Sequence, residues 1–279
     1  MGAWPNSNKT VQDIVCAIKD SFGLVTAVVL EFGMTNTFDN TQNSMDRKAE
    51  VWPVFKALII VAVLWVVSSQ LYYYLVDWLG LDSGYNDAPI LFALFYVGWA
   101  IATVALFWRL LSSVVNKTIL HREALYLLPI LDGFGLFVVY FLPVLPSVSV
   151  IRAPENPPEF MFATAWYYLP KTADILFQQA IVMVLIFTAA RAKFSIRTIA
   201  IAMAVAFGGF HLLLALDGFT PLYVARFTIG ATAFGALLPY LYLRLRNGFR
   251  WAFSCHWGFY AFDATLTHLI LAAPPWAQT

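Results

Sequence analysis

From residue 57 to residue 272 the chain is a succession of long apolar runs broken by short polar stretches. Seven runs are long enough to cross a hydrocarbon layer of about 30 Å as helices. They lie near 57–76, 89–113, 124–147, 172–190, 196–216, 221–243 and 250–272. The first 50 residues have a different texture. VQDIVCAIKDSFGLVTAVVLEF has helical spacing, but it carries Asp13, Lys19, Asp20 and Glu31. Those charges predict an amphipathic helix lying in the membrane interface, with an eighth span only if it inserts. Residues 35–50 read as a polar loop, and residues 151–159, which include RAPENPPE, as a rigid proline-rich one. Residues 160–169 are apolar but too short to cross. They either re-enter the membrane or extend the following helix past Pro170. The expected fold class is all-α, a polytopic membrane helical bundle of about seven transmembrane helices. An N-terminal segment over 1–50 precedes a single bundle over 51–279.

Composition agrees with that pattern. Of 279 residues 61% are hydrophobic and 12% charged, and mean hydropathy is +0.71. A soluble domain of this size covers itself with many more charges. The net charge of +1 gives no reason to expect a nucleic-acid partner. Cys16 and Cys255 make neither a disulfide framework nor a metal-ligand spacing. No cleavable signal peptide is expected in the polar first residues. Fourteen of the 17 Lys and Arg fall on one side of a seven-crossing topology, with only Arg152, Lys171 and Arg226 on the other. The positive-inside rule then places the N-terminus in the cytoplasm and the C-terminus outside, in what reads as a bacterial inner membrane.

Several polar residues fall at membrane depth. Counting about 1.5 Å per residue from the cytoplasmic helix ends puts His256 and Asp132 shallowest. Gln178, Asp263 and His211 come next, then Asp174 and Arg226 at one common level. Lipid offers such groups no partner, so all are expected to face the bundle interior. Asp174 and Gln178 share one helix face; His256, Tyr260 and Asp263 share another. The common depth of Asp174 and Arg226 predicts an ion pair between them, while Asp132 and Asp263 are expected as further buried polar groups.

The last third carries an ordered set of motifs. Gln178-Gln179 stands in DILFQQAIVMV, Phe207-x-x-x-His211 follows 33 residues later, and His256 another 45 residues on. Between them come Phe234, Gly235, Tyr242, Asn247 and Gly248. Over roughly residues 172–265 this layout resembles the CAAX-protease and bacteriocin-processing family of intramembrane proteases. That family's pattern is Glu-Glu-x-x-x-Arg, then Phe-x-x-x-His, then His-x-x-x-Asn or Asp. The chain departs from it at the glutamate pair, which is Gln178 and Gln179. The arginine position holds Met183 and the final Asn or Asp is Tyr260. The resemblance implies a chamber in which two carboxylates activate a water for attack on a carbonyl while histidines stabilise the oxyanion. Glutamine keeps the reach of glutamate but has no useful basicity, so no catalytic residue is expected.

The surviving histidines also have plainer readings. His211 and His256 can hydrogen-bond between helices, with Asp263 and Asp132 as the acids at matching depths. Either can ligate a haem-type pigment, which makes them the cofactor-binding candidates, and the two with Asp263 can hold a metal. No cofactor is called for by any attachment motif, though lipid or pigment contact is open to the aromatic-rich helices. A retinal Schiff base is excluded, because residues 250–272 contain no lysine. Some family members similar in their lost catalytic residues are linked to assembly of membrane complexes, including pigment-bearing ones. The resemblance therefore implies a pseudoprotease that acts as a binding, scaffolding or assembly subunit, with membrane lipids and membrane-protein subunits as partners. The alternative is a peptidase of the same family with an altered base.

Overall fold

The computed structural model describes residues 51–82, 84–114, 117–148, 159–216, 219–246 and 248–271. The helix and polar loop expected within residues 1–50, and all but the end of the proline-rich stretch, lie outside these. Among the described residues the chain is all-α, without strands. Helix α1 is Val51–Leu79, α2 Pro89–Leu106, α3 Trp108–Val114 and α4 Lys117–Leu136. A π-helical turn Phe137–Phe141 and a 3-10 turn Leu142–Val144 continue α4. Then come α5 Tyr168–Arg191, α6 Ile196–Leu212, α7 Pro221–Arg244 and α8 Gly248–Ile270.

Six stretches are long and apolar enough to cross a membrane: Val51–Leu79, Pro89–Leu106, Leu125–Val144, Tyr168–Arg191, Ile196–Ala215 and Pro221–Arg244. The protein is thus an integral membrane helical bundle. The seventh predicted run also folds as a helix, and its 23 residues reach about 34 Å. It falls outside those six in composition because it carries Arg250, His256, Asp263 and His268. The run expected at 89–113 breaks at Phe107, where α2 gives way to α3.

The bundle is built round α5. Two thirds of its membrane stretch (67%) is buried, and it touches α1, α2, α3, α6, α7 and α8. Pro170 does not stop this helix: as its third residue it sits in the first turn, where a missing N–H has no helical acceptor to lose. The apolar stretch ahead of it therefore joins the helix from Tyr168, which carries Lys171 into the bundle.

Helices α6 and α7 pack closely. A Cβ on Gly235 would lie 2.6 Å from the Met203 carbonyl oxygen and 3.0 Å from Cβ of Phe207. Only a glycine lets the two backbones come this near. On α6 this face holds the buried Ala200, Met203, Phe207 and Gly208, whereas Ala202 and Ala206 point away. At the turn into α8, a Cβ on Gly248 would collide with the carbonyl of Leu241. These two approaches bring Phe207, Tyr242 and His256 towards α5.

Candidate functional site

Gln179 is fully buried at the middle of the bundle, with 0% of its surface exposed. Tyr242 Oη on α7 donates to its Oε1 at 2.7 Å. Its Nε2 lies 2.9 Å from Nδ1 of His256 on α8. An amide oriented with Oε1 towards Tyr242 donates from Nε2, so His256 accepts at Nδ1 and carries its proton on Nε2. One side chain of α5 thereby ties down two other helices. The His256 ring stacks on Tyr260 at 5.6 Å and meets Phe234 at 5.1 Å with the planes tilted by 49°.

Gln178, one residue earlier, belongs to a second network along α5. Its Nε2 donates to Asp174 Oδ1 at 2.8 Å. Asp174 Oδ2 accepts from Lys171 Nζ at 2.8 Å. Both charged groups are buried. The Lys171 ammonium also sits 4.1 Å from the centre of the Tyr260 ring, a geometry in which the ring's negative face attracts it.

The ion pair expected between Asp174 and Arg226 does not form. Arg226 on α7 turns instead to Asp263 on α8, where Nη2 donates to Oδ2 at 3.2 Å. Its Nε comes within 3.1 Å of Oδ1 without aligning on it as a hydrogen bond. The physical reason is angular. Depth gives position along a helix axis but not around it, and it leaves out Lys171, which lies three residues from Asp174 and takes its carboxylate. Asp263 is buried as expected. Asp132 is not: it lies exposed on α4, so it cannot be the acid for His256. His211 does not reach Asp263 either. Its Nδ1 is 2.7 Å from the carbonyl of Phe207 in its own helix, which makes Nδ1 the donor and leaves Nε2 as an acceptor.

A cavity of about 230 Å³ lies beside these networks, with Trp65, Glu159, Lys171, Gln178, His211 and Tyr260 among its walls. Of the predicted residues it gathers Gln178, His211 and Tyr260, while Gln179 and His256 form the closed network behind. In the sequence Glu159 is only the end of a proline-rich loop. Its Oε1 accepts the backbone N–H groups of Tyr85 and Asn86 at 2.8 and 3.0 Å, and Tyr72 Oη reaches Oε2 at 3.3 Å. Burial pushes its carboxyl above the ordinary value, and those three donors and Lys171 pull the other way. No local signal announces this: the partners are more than 70 residues away along the chain.

Comparison of the chain with protein-family models, with curated proteins and with solved structures finds no match.

Proposed function

We propose that the protein is a non-catalytic, pseudoprotease-like membrane subunit that binds, scaffolds or assembles a larger membrane complex, in keeping with the resemblance to the CAAX-protease family. The observation that carries this reading is Gln179. It stands where the family holds one of its water-activating glutamates, and both ends of its amide are taken by Tyr242 and His256. The neighbouring carboxylates are also engaged. Asp174 is held by Lys171 and Gln178, and Glu159 by two backbone amides and a tyrosine. A general base needs a titratable lone pair within reach of its proton; two bonds to Asp174 and three to Glu159 take up half or more of the acceptor sites of each carboxylate.

One observation favours the alternative of a peptidase with an altered base: the cavity exists, and both Glu159 and His211 line it. Cleavage of candidate membrane-bound peptides by the purified protein separates the two readings, because the subunit reading expects none. The same proposal places the N-terminus in the cytoplasm of a bacterial inner membrane and makes α8 the seventh crossing, with the C-terminus outside. It is supported by the distribution of Lys and Arg. A reporter fused to the C-terminus should register outside; a cytoplasmic signal contradicts the orientation.

A further inference from the structure

Helix α4 stands apart from the bundle. Only 6% of its membrane stretch Leu125–Val144 is buried, against 67% for α5. An apolar groove of about 690 Å³ separates it from α2, α5 and α8, and Phe134, stacked on Trp257 at 3.8 Å, anchors it across that groove. The opposite face is a stripe at helical spacing. Leu125, Leu128, Pro129, Asp132 and Leu136 all lie on it, and all are exposed.

Three features of this stripe are out of place against lipid. First, Asp132 is exposed and has no hydrogen bond or ion pair among the described residues. It lies seven residues into the apolar stretch, about 10 Å from its start and about 18 Å from its end. An ionisable group at such a depth pairs with another or lines a polar path, because hydrocarbon offers it nothing. Second, Pro129 has no N–H, so the carbonyl of Leu125 four residues earlier loses the bond that position would donate. This second acceptor lies on the same face. Third, Gly133 flanks the stripe on the side away from the groove, and a Cβ there would meet nothing within 4 Å. Its small size serves no packing within the described chain, whereas a glycine on a lipid-facing helix lets a second helix approach closely.

We infer that this face of α4 is the docking surface for a transmembrane helix of a partner subunit that carries a lysine or arginine at the depth of Asp132. Charge complementarity selects that occupant. Acceptors are present without donors, so the incoming helix supplies the donors and the positive charge. A second copy of this chain fits poorly: an isologous pair would set Asp132 against Asp132. The deep basic residues Lys171 and Arg226 are already paired with Asp174 and Asp263. The inference rests on the subunit reading for its biological sense, but its test is independent of any cleavage assay.

The test uses the full protein in phosphatidylcholine vesicles with a fluorescent polyleucine transmembrane peptide that bears one central arginine. The control peptide has leucine at that position. Energy transfer from the protein's tryptophans should be several-fold greater for the arginine peptide. Asp132→Asn should bring it down to the level of the leucine peptide, and Gly133→Leu should also reduce it. Neither substitution should change helical content by circular dichroism, since both positions are exposed. Equal transfer from the two peptides by the wild type, or transfer undiminished in Asp132→Asn, would overturn the inference. So would self-association through this face, detected as Asp132-dependent transfer between two labelled copies.

Discussion

Gln179→Leu should lower the stability of the detergent-solubilised protein by about 2–6 kcal/mol, because it leaves two buried polar groups without partners and each such group costs roughly 1–3 kcal/mol. The groups are Tyr242 Oη and His256 Nδ1, which now bond to one amide on α5. Neither can turn to water: Tyr242 and His256 are themselves buried, and aromatic rings surround the imidazole. Thermal melting of the wild type and the variant measures the effect. Gln179→Glu should lose less than Gln179→Leu, since a carboxylate still accepts from Tyr242 and can pair with a protonated His256. Exposed Gln-to-Leu changes leave stability within about 0.5 kcal/mol. A loss that small at position 179 would mean that the network is incidental.

Arg226→Met should cost about 2–4 kcal/mol. Removing one member of a buried ion pair typically costs about 3–5 kcal/mol, because the other charge is left uncompensated. Here Asp263 is almost wholly enclosed, at 3% side-chain exposure, but Arg226 keeps 32% of its own. Screening of the more open partner puts the loss towards the low end. Combining Arg226→Met with Asp263→Asn should restore part of the stability. Combining it with Asp174→Asn should give additive losses, since the two do not touch and additivity holds for independent sites. A coupling found with Asp174 rather than with Asp263 would reinstate the pairing that axial depth alone suggests.

Much of the fold was legible because a membrane bundle writes itself in long apolar runs. The period that makes α1, α2, α5, α6 and α7 apolar needs no knowledge of neighbours. Even α8, with its four charged or imidazole side chains, was recognisable as a helix in the right place. Side-chain partners were not legible, for a geometric reason. Counting residues gives height along an axis, and Asp174 and Arg226 share a height without sharing a face. Which way each side chain faces depends on how α5, α7 and α8 are rotated, which is settled by packing such as the contact of Gly235 with Met203.

Lys171 lies just ahead of the expected span at 172–190, and Pro170 in a first turn is no obstacle to the helix starting earlier, at Tyr168. Asp132 was expected inside by the rule that membrane charges face the interior. Its exposure breaks that rule for the isolated chain, which is why it carries the inference about a partner. Glu159 had no local signature at all, since its bonds reach back to Tyr72, Tyr85 and Asn86.

The proposed function holds that Gln179 and His256, matched by resemblance to catalytic positions of the CAAX-protease family, tie α5 to α7 and α8 and do no chemistry. Its most direct test is hydrolysis of candidate peptides by the purified protein in vesicles. The wild type, His211→Ala and the combined Gln178→Glu, Gln179→Glu variant are compared under one set of conditions. No cleavage by the wild type is expected, and none that depends on His211. Cleavage by the wild type that disappears in His211→Ala would contradict it and assign the cavity to a working peptidase.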